Sequence, residues 1–266
     1  MCTLVVLRRP GHPWPLLLAA NRDEMRDRPW RAPGRHWPDQ PQAVAGLDVQ
    51  GGGTWLGLND AGVVAGVLNR VGSLGPRRGK RSRGELVLAA LDHGDASAGA
   101  TALTRLDPRD YRSFNLVVAD RRNAYWLRHR AQKPEPGESP PPIEAFELPA
   151  GLSMLTAHDR NDAASARIRA YLPRFEAAAP PDPRKGNWGA WKRILASRRF
   201  EPDDGPQGAM SVVTDGGFET VSSSLIALPG PPQSARARPA RPVWLFAPGR
   251  PDEKPFSRVE IRTKPR

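Results

Sequence analysis

The first 24 residues constrain the fold of this chain more than any other stretch. Met1-Cys2-Thr3-Leu4-Val5-Val6-Leu7-Arg8 and Leu16-Leu17-Leu18-Ala19-Ala20 are apolar, β-favouring runs, and the segment between them carries Pro10, Gly11, Pro13 and Pro15. Two such runs about a Pro- and Gly-rich loop read as an antiparallel hairpin. Setting Arg8 across from Leu16 puts Cys2 across from Arg22. Directly opposed residues lie about 4.5–5.5 Å apart at Cβ, so the one cysteine of the chain meets a guanidinium, and a nearby cation favours thiolate over thiol. A slip of one residue would send the two side chains to opposite faces.

Cys2 has a second property. Removal of Met1 gives it a free α-amine, whose pKa of roughly 7.7–8.0 leaves a useful fraction unprotonated near neutral pH. Nucleophile and base then belong to one residue, and the terminal amine does the work of the histidine in a protease triad.

With 266 residues the chain can bury a large core, and a single domain over 1–266 is the expectation. No apolar run approaches the roughly 18–20 residues that cross a bilayer. The N-terminus lacks the basic head, apolar middle and cleavage site of a signal peptide, and one cysteine excludes an internal disulfide, so the expected location is cytoplasmic. The formal charge is +12, with only six lysines among 40 basic residues. Such a balance suits nucleic acid, acidic lipid or a phosphorylated ligand. Arginine is spread along the whole chain, however, beside 30 prolines, which reads as compositional bias, and no nucleic acid partner is expected. Only Pro76-Arg77-Arg78-Gly79-Lys80-Arg81-Ser82-Arg83 concentrates it. That run is either a solvated loop or a grip on phosphate or carboxylate through Arg77, Arg78 and Arg81.

Along the chain, residues 25–42 read as a long loop over the strand ends. Strands follow at 43–48, 54–59 and 62–69, and with the first hairpin they are expected to form one mostly antiparallel sheet. Ser82-Arg83-Gly84-Glu85 has the form of a capping box opening a helix, and Asp95 caps a second helix with Ala98, Ala102, Leu103 and Leu106 as its stripe. A hairpin at 114–120 and 123–128 precedes an exposed, Pro-rich excursion at 131–142. Strands at 143–148 and 152–157, a helix over 161–179 broken by Pro173, and a helix over 188–199 come next. Short strands at 211–213, 218–223, 224–228 and 243–246 close the chain. This order predicts an α+β sandwich with helices outside stacked sheets.

Two segments could carry chemistry. Asn21-Arg22-Asp23-Glu24 turns polar at a strand end, where sites are built, although an Arg with two carboxylates can equally form a surface ion-pair cluster. Asn69 ends a strand that is otherwise apolar. Its amide could donate to the oxyanion of a tetrahedral intermediate, or serve a local turn. The five histidines show no metal-ligand spacing, so neither metal nor cofactor is expected. His158 is left as a surface residue or a partner for Cys2.

Met-Cys-Thr-Leu-Val at the start, Ala-Asn-Arg-Asp-Glu at 20–24, Gly-Gly-Thr-Trp-Leu-Gly at 52–57 and Ser-Arg-Gly-Glu-Leu-Val at 82–87 resemble the NRDE family, which is the transport and Golgi organisation protein 2 family. That family is similar to cysteine N-terminal nucleophile hydrolases of the penicillin V acylase and bile salt hydrolase type. The resemblance implies an α+β, four-layer αββα fold, with Cys2 as nucleophile, Arg22 and Asp23 beside it, and Asn69 donating to the oxyanion. Asn21, Glu24 and Trp55 join the ligand-contacting set. Two positions depart from the family pattern: Met154 stands where an Asn is common, and Val221 where an Arg is common before Ser222-Ser223.

The resulting expectation is a hydrolase of a non-peptide C–N amide or related acyl bond of a small molecule. The alternative, since family members are linked to haem trafficking and acyl-CoA or lipid handling, is a non-catalytic carrier. There the Arg77 to Arg83 run would meet propionates or phosphates, and Trp30, Trp37 and Trp55 would line an apolar cleft.

Overall fold

The computed structural model describes residues 2–131, 139–232 and 240–261, so most of the Pro-rich stretch expected at 131–142 lies outside the described residues. Its contacts divide the chain into two compact units. The first takes the chain up to Arg28 and resumes at Pro149; the second is Pro29–Leu148.

The first unit is built on the N-terminal hairpin. β1 (Thr3–Arg8) pairs antiparallel with β2 (Leu16–Met25) in the expected register, Arg8 across from Leu16 and Thr3 across from Asn21. β10 (Gly151–Leu155) adds to the free edge of β1, and β11 (Phe218–Leu228), β12 (Val243–Ala247) and β13 (Ser257–Arg258) extend the other side. The two strands expected at 218–223 and 224–228 are one continuous strand, because both halves pair along β2. Ser211 to Val213 contributes a single bridge, Val213 to Glu219, in place of a strand.

Helices α3 (Ala166–Ala177) and α4 (Gly189–Leu195) belong to this unit. Side chains alternate along a strand, and Val5, Leu7, Leu17 and Ala19 meet Ile168, Tyr171, Phe175, Trp188, Trp191 and Leu195 in one core cluster. Odd-numbered residues of β1 and β2 therefore face the helices. Pro173 does not break α3 as expected. It lies on the exposed side, while Ile168, Tyr171 and Phe175 are buried at helical spacing and hold both sides of it to the core.

The second unit is a seven-stranded antiparallel sheet in simple order: β3 (Trp30–Gly34), β4 (Ala43–Asp48), β5 (Leu56–Asn59), β6 (Val64–Asn69), β7 (Phe114–Ala119), β8 (Ala124–His129) and β9 (Glu144–Glu147). Two expectations are corrected. The hairpin at the N-terminus belongs to the other sheet, and the stretch read as loop contains β3, an edge strand in which Pro33 is tolerated because one side needs no ladder partner. Helices α1 (Gly84–Leu91) and α2 (Ala96–Thr104) pack on this sheet, with Leu86, Val87, Ala100 and Leu103 joining Ala65, Leu116 and Leu127. Asp95 caps α2 through Ala98 N at 2.8 Å. The α2 stripe is Ala96, Gly99, Ala100 and Leu103; Ala98 is exposed.

The expected capping box is also absent. Arg83 is the residue before α1, its side chain caps nothing, and the Glu85 carboxylate is held by Arg81 at 2.8 Å. The glycines of this motif act through backbone contact instead. Thr54 N donates to Gly84 O, and a Cβ on Gly84 would stand 2.8 Å from Thr54 N. A Cβ on Gly53 would stand 2.5 Å from the Gly84 carbonyl carbon. Only glycine at both positions lets the two segments touch. Two antiparallel sheets, each carrying helices, make this the α+β class expected.

Candidate active site around Cys2

In the first unit the polar tetrapeptide Asn21-Arg22-Asp23-Glu24 lies inside β2, which continues to Met25, and not past its end as expected. It is no surface cluster: Asn21 is 1% exposed, Arg22 5% and Asp23 2%. Burying these groups costs heavily unless each finds a partner. The alternation of the strand decides which partner each one meets.

Asn21 and Asp23 share the helix-facing parity of Leu17 and Ala19. Asn21 Nδ2 donates to Leu195 O at 3.0 Å and Met210 O at 2.8 Å, and its Oδ1 accepts from Ser223 Oγ at 2.7 Å. Its amide is thus committed to tying the end of α4 and the 210 loop to the sheet. Asp23 is bridged by Arg167, whose Nη1 stands 2.7 Å from Oδ2 with both side chains almost fully buried. The same Nη1 donates to Thr3 Oγ1 at 2.6 Å, and Thr220 Oγ1 donates to the other carboxylate oxygen at 2.6 Å. Both carboxylate oxygens therefore accept charge-assisted or hydroxyl hydrogen bonds.

β11 makes room for this arrangement. Thr220 pairs with Asp23 and Ser222 with Arg22, so Val221 is the extra residue of a β-bulge. A bulge re-aims the side chains on either side of it, and here it turns the Thr220 hydroxyl onto Asp23.

Cys2 precedes β1 and continues the register of the hairpin toward Arg22. It is half-buried, and Sγ faces the Asp23 backbone carbonyl at 3.7 Å. Burial pushes the thiol above the ordinary cysteine value, and the Asp23 carboxylate adds to the rise. The positive chain terminus, the Asp23 backbone contact and Arg22 pull the other way without overcoming it. Arg22 acts in the expected direction, favouring the thiolate, but desolvation outweighs the guanidinium. Glu24, half-buried, accepts from Met25 N and stands 3.7 Å from Arg28.

The structure thus brings Cys2, Arg22 and Asp23 together in the first unit. Asn69 is in the second, where it ends β6 across from Phe114. Trp55 is there too, edge-on to Trp30 with ring centroids 5.9 Å apart, and packed where a Cβ on Gly46 would stand 2.3 Å away. Trp37 Nε1 donates to Gly52 O. Arg81 is bound to Glu85 and lies over the Tyr111 ring, whereas Arg77 and Arg78 are exposed. His158 stands 3.9 Å from Asp162.

Arg167 was missed by the sequence reading. Its signal was present: it shares the face of α3 that carries Ile168, Tyr171 and Phe175, and a charged residue in an apolar stripe demands a buried partner.

Known proteins agree with this architecture. An ortholog of N-acylethanolamine-hydrolyzing acid amidase from Caenorhabditis elegans matches with a TM-score of 0.52 at 13% identity, covering 88% of this chain and 95% of that one. Penicillin V acylase from Agrobacterium tumefaciens matches with a TM-score of 0.51 at 14% identity, covering 93% of this chain and 83% of that one. At such identities the likeness establishes the fold, that of the N-terminal nucleophile hydrolases. In sequence, the transport and Golgi organization protein 2 homolog of Bos taurus is 39% identical over 110 residues, which is 40% of this chain and 38% of that protein. The matched region thus spans well under half of the relative. The family model for Transport and Golgi organisation 2 matches residues 1–157, and the chain belongs to that family.

Proposed function

We propose that this chain is a cysteine hydrolase of the N-terminal nucleophile type, acting on a non-peptide C–N amide or related acyl bond of a small molecule. One observation carries the reading: the sulfur at position 2 lies at the mouth of a strand pair whose neighbouring residues are fixed by a buried ion pair, Arg167 to Asp23. The fold neighbours named as an amidase and an acylase support acyl compounds as the substrate class.

With Met1 removed, the Cys2 α-amine accepts the thiol proton as Sγ attacks the carbonyl carbon. Collapse of the tetrahedral intermediate breaks the C–N bond, and the α-ammonium returns its proton to the leaving amine. Water, deprotonated by the same amine, then cleaves the thioester and releases the acid. Arg22 favours the thiolate as it forms. Asp23 acts indirectly, since its carboxylate is committed to Arg167 and Thr220 while its backbone carbonyl orients the sulfur.

The reading predicts that kcat/KM rises with pH as the amine deprotonates, with a midpoint around 7.7–8.0. The test is turnover of a panel of N-acyl amides and acyl thioesters by the native protein and by Cys2→Ala. Hydrolysis that disappears in Cys2→Ala supports the proposal, and hydrolysis that survives the substitution overturns it.

A further inference from the structure

Arg167 stands where a cation is least expected. It lies in the first turn of α3, two residues after the Ser165 cap, and the positive end of a helix disfavours a positive side chain. It is 1% exposed, on a face otherwise given to Ile168, Tyr171 and Phe175. Taking a guanidinium and a carboxylate out of water costs so much that an apolar pair of similar volume often holds a core at least as well. Stability is therefore a poor account of why Arg167 and Asp23 are paired here. What the pair has and two apolar side chains lack is direction, and the direction of each bond can be read.

Arg167 Nη1 bridges the two strands of the N-terminal hairpin. It donates to Asp23 Oδ2 on β2 at 2.7 Å and to Thr3 Oγ1 on β1 at 2.6 Å, while Nη2 donates to Gln207 O at 2.9 Å. Both strand contacts adjoin Cys2. Thr3 is the next residue in the chain, and Asp23 presents the backbone carbonyl that the sulfur faces at 3.7 Å. Thr220 holds the second Asp23 oxygen, so the carboxylate is fixed from both ends. Thr3 is also the last residue paired at this end of the hairpin, across from Asn21, and Cys2 lies outside the ladder. The end of a chain is poorly ordered unless something ties it down. Fraying here would carry the sulfur and the α-amine out of line.

We propose that Arg167 acts through Thr3 as a positioning residue for Cys2, clamping the last paired residues of the hairpin so that the sulfur and the α-amine of the processed terminus meet the substrate carbonyl in one geometry. This role rests on the nucleophile reading above and adds to it a residue that never touches substrate. A misplacement of about 1 Å costs on the order of a hundredfold in rate, and loss of one anchoring bond should release part of that.

Thr3→Val and Thr3→Ser separate the bond from the fold. Valine matches threonine in shape and strand preference but offers no acceptor, whereas serine keeps the hydroxyl. In steady-state turnover of the N-acyl compound that the native protein hydrolyses best, Thr3→Val should lower kcat about tenfold with KM within about twofold, and Thr3→Ser should stay within about twofold of native. Arg167→Met/Asp23→Leu, which strands no charge, should unfold near the native midpoint and show the same loss of kcat. A second readout needs no substrate. Alkylation of Cys2 by iodoacetamide should be at least about threefold faster in Thr3→Val, because the freed strand end exposes the sulfur, and should keep the native rate in Thr3→Ser. If the native protein hydrolyses nothing, the functional reading falls and the alkylation rates alone decide the clamp. Native-like kcat and alkylation in Thr3→Val, an equal change in Thr3→Ser, or full turnover by the folded double variant overturns the proposal.

Discussion

The chain handles buried polarity in two opposite ways. Around Asp23 every formal charge is answered from within: Arg167 and Thr220 satisfy both carboxylate oxygens, and three elements distant in sequence converge to do so. Around His129 the described residues lining the neighbouring cavity include Arg77, Arg78, Lys80, Arg109 and Arg112 and no carboxylate. Internal pairing makes a rigid platform, whereas cations gathered without carboxylates repel one another. The two regions therefore respond differently to the removal of a charge.

The largest contrast comes from deleting cations. Arg167→Met strands Asp23 in the interior and should cost about 3–5 kcal/mol in denaturant unfolding, most of it recovered when Asp23 is replaced by Leu in the same chain. Arg77→Ala/Arg78→Ala should leave stability unchanged or raise it. Equal losses from both would end the distinction.

Next in size is Gly84→Ala, which places a Cβ against the Thr54 backbone and should lower stability by about 1–3 kcal/mol in the same unfolding assay. A neutral result would contradict the need for glycine at this close backbone contact.

A smaller effect follows from pH. Burial holds His129 below the ordinary histidine value, and Lys80 adds to the depression. The unfolded chain therefore takes up the proton first. Stability should be full above the ordinary value of about 6.5 and fall with pH below it, by at most about 1.4 kcal/mol per pH unit, until the folded ring also protonates. Urea titrations from pH 7 to 5 measure this slope. The smallest effect is expected from Asp107→Asn. This half-buried carboxylate, held down to about 2 by hydrogen bonds from Arg109, also caps the turn at 108–110, and since Asn caps nearly as well the change should shift stability by less than the same unfolding assay resolves.

The sequence made the local parts of this fold legible and the long-range parts obscure. The β1–β2 register followed from a short loop between two apolar runs, and Asp95 followed from cap chemistry. Assigning the first hairpin to the same sheet as β4 to β6 failed because nothing local says which sheet a strand joins, and Pro33 concealed β3. At the site, Cys2 and Arg22 were readable from hairpin geometry. Arg167 was not, because its partner lies 144 positions away and only the burial of α3 on the sheet joins them. The net direction of the Cys2 shift was not legible, because charge is visible in a sequence and desolvation is not.

The central claim concerns Cys2 and is tested most directly by intact mass and peptide mapping after exposure of the purified protein to an excess of an acylating amide or thioester. The account predicts a chain lacking Met1 that carries a single acyl group on Cys2, more of it as pH rises toward 8. A chain that keeps Met1 and hydrolyses the compound with Cys2 unmodified would contradict it.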